Sequence, residues 1–468
     1  MKKKIAISFA IIFFVSLIST NITFAYKISS NNIVKNNQEN FDMIIISPEQ
    51  FRNSLDNFIT HKKNHEIETT FVSLEDIYNG GYFDAQGRDN PEKIKYFIKN
   101  AIEEWNIKYV LFIGGSKQVP VRLCYNDDEY SSYPEPKFVS ELYYADIYDS
   151  QGGFSSWDSD NDGIFGEWDG DVAEDKNIDL RPDVCIGRLA CQNIEEVKTV
   201  VKKIIDYENT PANPSWFKKM VVAGGDTYRK IEGLEGEINN QIALDIMSDF
   251  TPVKLWASTG TLDKYGFNLL REINKGCGFL YLSGHGSTNI WATYTPDNEK
   301  VGSFETYKIK FLSNKQKLPI CIVSGCHNSQ FSVGTKKAIG ILKLSLFEKN
   351  LPINGCWSWE LTKKADGGSI ATIGSTGLSW ISAEYNGAGL DWLNIQFFRE
   401  YKDNVKIVGE IWKNTVTKYV DENPINWNTP SGGNYSIDAK SAQEWMLLGD
   451  PSLIIGGYEA QVKNNQKY

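Results

Sequence analysis

The sequence predicts an α/β fold: mainly parallel sheets flanked by helices, arranged as two sub-domains. Three observations predict it. Short apolar runs recur along the chain, and many are continuous rather than alternating, as in parallel strands buried on both faces. Segments with one apolar face at helical spacing lie between them. The chain has 468 residues, too many for one small core and enough for two or three sub-domains. With 13 Trp and 23 Tyr it is far from the aromatic-poor composition of disordered chains, so most of it should fold.

The first 25 residues stand apart. Lys2, Lys3 and Lys4 form a basic start, Ile5 to Ile18 is an apolar run, and Thr23-Phe24-Ala25 puts a small residue at a cleavage point. This is the pattern of a secretory signal peptide, too short for a comfortable membrane span. The expectation is a secreted, extracellular protein with no membrane contact after cleavage. No wall-sorting tail is evident, so release into the medium is favoured over anchoring.

The strands expected after it are Met43–Ile46, Thr70–Leu74, Tyr109–Ile113, Val184–Ile186, Met220–Ala223, Val253–Ala257, Phe279–Leu282, Ile320–Val323 and Ile370–Ile373. Asn90-Pro91 signals a helix start, with Asn as cap and Pro in the first turn. Ile94, Phe97, Ile98, Ala101, Ile102 and Trp105 then share one face. Val197, Val200, Val201, Ile204 and Ile205 do the same in the helix expected over Glu195–Tyr207. The polar, proline-bearing stretch Asn209 to Pro214 reads as a connector. Sub-domains are therefore expected over 26–208 and 209–456, with a polar tail over 457–468. No internal repeat is visible.

The net charge is −10. Loss of the signal would make it −13, because three lysines and no acids leave. Such an acidic chain is a poor partner for nucleic acid. Seven Cys in a chain of this length are not a disulfide scaffold. Their odd count leaves one thiol to explain, and the lack of any CxxC pair argues against a zinc ribbon.

Only four His are present, which narrows the search for a base. His61 and His65 sit on a polar helix end and read as solvated surface. His285 is different. It follows the buried-type strand Gly278 to Ser283, in Ser283-Gly-His-Gly-Ser287, and so is presented at the carboxyl edge of the sheet. Its flanking glycines let a substrate backbone approach. Leu318 to Asn328 repeats the form, with an apolar strand ending in Gly325-Cys326. If the two strands are neighbours, a thiol and an imidazole meet at the sheet edge, where the thiol ionises more readily and becomes a nucleophile. The N–H groups of Cys326 and Gly286 would then hold the oxyanion of an acyl intermediate. His327 is a poor base for its neighbour, since successive extended residues point opposite ways.

These segments resemble the caspase-like clan of cysteine peptidases, and the gingipain type within it. The resemblance rests also on Asp183-Val-Cys-Ile-Gly-Arg-Leu189, Gly224-Gly-Asp226, His285-Gly-Ser-x-x-x-Trp291, Ser375-Thr-x-x-x-Trp380 and Leu448-Gly-Asp-Pro-Ser452. They occur in matching order from about residue 43 to 456. The resemblance implies a caspase-like fold and a cysteine-type endopeptidase with a Cys326/His285 dyad that cleaves after a chosen P1 residue. It implies that Asp226 orients His285, although the family more often has Glu there. It implies that Glu237 forms the floor of the S1 pocket and Trp380 a wall. A buried carboxylate at that floor favours a basic P1 side chain, Arg before Lys. The expected partners are protein or peptide substrates with such a residue, and the expected state is a monomer.

One further motif stands outside this chemistry. Asp158-Ser-Asp160-Asn-Asp162-Gly163-Ile164 fits a D-x-D-x-D-G calcium loop. Asp158, Asp160 and Asp162 supply carboxylates, Ile164 a carbonyl, and Asp169 the twelfth position. No helices flank it, so a lone Ca2+ with a structural role is expected, and no catalytic metal. The alternative to an enzyme is a non-catalytic, calcium-stabilised surface or adhesion module on the same fold. The presence of both His285 and Cys326 favours the enzyme.

Overall fold

The computed structural model describes residues 40–127, 135–211, 213–228, 233–332, 355–381 and 387–459. The expected signal peptide and the tail from residue 460 lie outside these. Fifteen strands are described: β1 Met43–Ser47, β2 Thr69–Ser73, β3 Tyr109–Ile113, β4 Arg122–Cys124, β5 Phe138–Ser140, β6 Cys185–Leu189, β7 Lys219–Gly224, β8 Thr251–Trp256, β9 Phe279–Ser283, β10 His285–Ser287, β11 Ile290–Tyr294, β12 Lys300–Glu305, β13 Ile320–Ser324, β14 Ala371–Ser375 and β15 Trp445–Leu448.

Ten of them form one sheet in the order β2-β1-β3-β6-β15-β14-β13-β9-β7-β8. Every neighbour pair is parallel except β14–β15. Helices cover both faces, which is why β1, β3, β6, β9, β13 and β14 are buried along their whole length and are mostly apolar, with Arg188 of β6 the charged exception. The outermost strand β8 is mostly exposed and carries Pro252, which an edge strand tolerates. All nine expected strands are present. The one strand of this sheet that was not expected, β15, follows the helix Asn434–Glu444 with no residue between them, so no turn signal announces it.

The helix Asn90–Trp105 is capped by Asp89, one residue before the expected Asn90. Asp89 Oδ1 accepts from Glu92 N at 2.9 Å. Asn193 caps the helix Ile194–Glu208 in the same way. Four strands of the sheet come from before residue 208 and six from after it, and they join through the single ladder pair Leu448↔Arg188. Arg188 is fully buried at this seam, with its guanidinium 3.0 Å from both oxygens of Glu141.

A second buried ion cluster closes the far side. Lys62 Nζ lies 2.8 Å from Glu208 and 2.6 Å from Asp450, and His61 Nε2 lies 2.8 Å from Glu208. The expectation for His61 is thus corrected: it is buried, because Glu208 reaches into the helix Asp56–Lys63 from another element. His65 stacks on Tyr458 with ring centroids 3.8 Å apart, and Tyr458 N donates to Glu208 O, so the start of the expected tail is packed.

Candidate active site

Three adjacent strands build the site. β13 pairs with β9 in the register Ser324↔Ser283, and β9 with β7 in the register Ser283↔Gly224. Cys326, His285 and Asp226 each stand two residues beyond those partners, on neighbouring strands about 4.8 Å apart. The ladder therefore delivers the three residues to one edge in the order Asp226, His285, Cys326. Gly284 N donates to Ser324 O at 3.1 Å, which carries the pairing past the strand ends.

A small antiparallel sheet, β10-β11-β12, folds over this edge. His285 lies opposite Ala292 and Gly286 opposite Trp291. The His285 ring meets the ring of Tyr294 edge-on at 5.5 Å. Asp226 N donates to the Tyr294 carbonyl at 2.9 Å, and the Thr293 hydroxyl donates to the Asp226 carbonyl at 3.3 Å. Strand β11 thus holds the segments of His285 and Asp226 together. Asp226 is buried.

Cys326 is half-buried, while the other six cysteines are fully buried, and all seven are free thiols. Its thiol donates to Ser379 O at 3.7 Å. Burial pushes the thiol up to about 12, and Glu444 and Glu135 add to the rise. Burial thus opposes the thiolate, and a base beside the sulfur would have to offset it. The next residue, His327, has a left-handed φ of +58°. Its N–H donates to Gly377 O, and its Nδ1 lies 3.4 Å from Glu135.

Asn328 is fully buried between the two loops. Its Nδ2 donates to Ser287 O at 2.8 Å and to Ile290 O at 3.0 Å. Its Oδ1 has no hydrogen-bond partner among the described residues. Neither Gly286 nor Gly325 can carry a side chain, because a Cβ at either would collide with that oxygen.

The helix Glu235–Ile246 brings two acids to the same edge. A Cβ at Gly236 would lie 2.6 Å from Ser283 O and 2.8 Å from Gly225 O, so only glycine lets the helix start sit this close to β7 and β9. Glu235 accepts from Thr227 N at 3.0 Å and so fixes the loop after Asp226. Glu237 is buried, and its two oxygens accept from Ser258 N at 2.8 Å and Ser258 Oγ at 2.6 Å. Each oxygen keeps a further lone pair beyond these bonds. Trp380, half-buried, adjoins the Ser379 carbonyl that receives the Cys326 thiol. Sequence reasoning missed Asn328, Ser258 and Glu235. Asn, Ser and Glu at strand and helix ends read as ordinary turn and cap residues, so no local signal marks them.

The acidic loop lies apart in sequence. Carboxylate oxygens of Asp158, Asp160 and Asp162 come within 4.8 Å of one another. Ile164 N donates to Asp162 Oδ1 at 2.7 Å. Asp169 is exposed and lies outside this group of three. The chain makes left-handed turns at Gly163 and Gly166, and no helix follows directly. Glu167 faces the acids instead. Burial, with Glu174, Asp162, Asp175 and Asp160 around it, pushes its carboxyl up to about 7.

Comparison with known proteins decides the family. The Peptidase family C25 model matches residues 36–455. The chain belongs to peptidase family C25. Among curated proteins it is similar to gingipain R2 of Porphyromonas gingivalis, 23% identical over 432 residues that cover 89% of this chain and 46% of the relative. Gingipain R1 of the same organism is 22% identical, with 89% and 34% covered. The chain thus spans less than half the length of these relatives. A crystal structure titled as the Arg-specific cysteine proteinase gingipain R superposes with a TM-score of 0.60 at 19% identity, covering 90% of this chain and 79% of that one. A complex of Porphyromonas gingivalis gingipain pro- and mature domains gives 0.58 at 19% identity, covering 88% and 79%. The fold expected from the sequence is the one found. No helix among the described residues is long and apolar enough to cross a membrane.

Proposed function

We propose that the protein is a secreted, monomeric cysteine endopeptidase that cleaves after a basic P1 residue, Arg over Lys. The observation that carries this reading is the shared register of β7, β9 and β13, with Asp226, His285 and Cys326 each two residues past it. His285 takes the proton from Cys326 Sγ as the sulfur attacks the scissile carbonyl carbon. The N–H groups of Cys326 and Gly286 receive the oxyanion. As the C–N bond breaks, His285 returns the proton to the leaving amine. A thioester remains, and a water deprotonated by His285 hydrolyses it. Asp226 holds the imidazole orientation and stabilises the imidazolium.

Glu237 receives the P1 cation, and Trp380 closes one wall of its pocket. The support is a buried carboxylate whose orientation Ser258 fixes while lone pairs remain. A guanidinium matches two carboxylate oxygens better than an ammonium does, hence Arg over Lys. A Ca2+ at Asp158, Asp160 and Asp162 orders the acidic loop. The residues fit a hard cation: three carboxylates converge, and Arg88, 2.6 Å from Asp158, neutralises only one of them. The test is a P1 scan with fluorogenic peptides, with and without calcium and a thiol reductant. Preferred cleavage after Arg, lost on alkylation by iodoacetamide, supports the reading. Indifference to P1, or activity that survives alkylation, removes it.

A further inference from the structure

We propose that Asn328 is a positioning residue: its side-chain amide is a spacer lodged between the His285 loop and the Cys326 loop, and it sets the distance between base and nucleophile. The inference rests on the dyad reading above and adds a residue to it.

Two hydrogen bonds fix the amide. Both Nδ2 protons are used, on Ser287 O and Ile290 O. These carbonyls are the last of β10 and the first of β11. The amide therefore pins the hairpin that carries His285 and Gly286. Two backbone carbonyls can receive only a donor, so the amide cannot be turned over. Oδ1 must face the opposite way.

What it faces is unusual. Oδ1 is buried without a hydrogen-bond partner among the described residues. The directions in which side chains would leave Gly286 and Gly325 both run into it, so a Cα–H of each glycine points at the oxygen. Such groups are weak donors. Gly286 follows the base, and Gly325 precedes the nucleophile. The loops also meet directly: a Cβ at Gly286 would lie 2.7 Å from Cys326 O, and one at Gly325 would lie 3.0 Å from Gly286 N. Asn328 is two residues from Cys326 and bonded to the far loop. It ties the two by a rigid group on one side and by contact on the other.

A buried polar atom left without a strong partner is a cost that folding alone has no reason to keep. Here it accompanies a wedge between the two N–H groups that the acyl intermediate uses. A displacement of about 1 Å at such a site costs on the order of 100-fold in rate. The wedge touches neither substrate nor the reacting atoms, so its loss should fall on kcat.

The experiment uses the full chain, a fluorogenic peptide that the parent cleaves, and Cys326→Ala beside the Asn328 variants. Asn328→Ala should lower kcat by about 100-fold while KM stays within about threefold. The pH profile of iodoacetamide alkylation at Cys326 should move to that of a thiol with no base beside it. Cys326→Ala supplies the blank for the other thiols. A residue that only aids folding would lower Tm and leave both readouts in place. So kcat within about threefold of the parent, with an unchanged alkylation profile, overturns the proposal.

Asn328→Asp is the second variant, for the case in which the alanine form does not fold. It keeps the shape but sets a carboxylate against two carbonyls. Its kcat relative to the parent should rise as pH falls, because the protonated acid regains one donor. A ratio near one at every pH overturns the proposal, and so does failure of both variants to fold. If Cys326→Ala retains turnover, the dyad reading fails. If it is inactive while Asn328→Ala is unimpaired, only the positioning role fails.

Discussion

The edge of the sheet at β7, β9 and β13 and the loop 158–175 are both polar and both organised by Asp residues, but they are held in opposite ways. At the edge, position comes from apolar strands whose ladder continues past their ends, through Gly284 N to Ser324 O. In the loop there is no ladder. Asp158 accepts from Asp162 N and Gly163 N, both at 3.1 Å, and Asp175 accepts from Glu167 N at 3.0 Å. The edge therefore keeps its geometry whatever ions are present. The loop is shaped by carboxylates that lie close together, with Arg88 paired to Asp158 alone of the three. A site that must hold a sulfur and an imidazole in register belongs on the first kind of support, and a stability switch fits the second.

The largest effect expected from this contrast is at the edge. Cys326→Ala should abolish turnover, on the order of 10⁴-fold or more in kcat, and leave the thermal unfolding curve nearly in place. The reason is that the thiol is only half-buried and gives up a single long bond to Ser379 O. Substantial residual activity would refute the nucleophile assignment. Next comes Glu237→Gln, which should lower kcat/KM for Arg or Lys substrates about tenfold or more, roughly 1.4 kcal/mol. The amide keeps the shape of the pocket but not its charge. An unchanged P1 preference would take Glu237 out of the pocket.

The sequence carried the edge further than the loop. Continuous apolar runs ending in Gly-His-Gly and Gly-Cys announce two strand ends, and the register between them follows once those strands pair. In the loop, the sequence pattern places Asp169 at the twelfth position, but in the structure only Asp158, Asp160 and Asp162 converge. The chain turns there at the left-handed glycines Gly163 and Gly166. Asn328, Ser258 and Glu235 were not legible at all. The partners of the first two are distant in sequence: Ile290 lies 38 residues from Asn328, and Ser258 lies 21 from Glu237. His61 was misread for the same reason, since Glu208 is 147 residues away.

The third effect is one of pH and again belongs to the edge. Asp391 is buried beneath it, taking hydrogen bonds from Ser324 Oγ at 3.3 Å and Asn239 Nδ2 at 2.5 Å. Burial pushes its carboxyl up to about 7, and Glu235 adds to the rise. A carboxyl raised on folding gives stability that is fully present below its ordinary value of 3.8 and is lost as pH rises through about 7. Asp391→Asn should remove that slope. The Tm of the variant relative to the parent should climb between about pH 4 and 8, by an amount on the order of a few kcal/mol in stability. Parallel curves would show that Asp391 does not titrate in this range.

The smallest effects belong to the loop, and they separate it from the edge most sharply. Chelation of calcium should lower Tm by a few degrees, since a bound ion at 100 times its Kd adds about 2.7 kcal/mol. The initial kcat below that Tm should hardly change, because the ladder that sets Cys326 and His285 has no part in the loop. Asp158→Asn should erase the calcium-dependent part of Tm, as its carboxylate is the buried member of the cluster. Glu167→Gln should weaken calcium binding, because Asp160 and Asp162 bear on its carboxyl. Asp169→Asn, at an exposed position outside the cluster, should stay within about 0.5 kcal/mol of the parent. A calcium titration followed by thermal unfolding reads all three. If Asp169→Asn rather than Glu167→Gln shifts the titration, the chain does close the twelve-residue loop when the ion binds. The contrast with the edge would then be one of induced against built-in order, with calcium supplying the fold that apolar strands supply elsewhere.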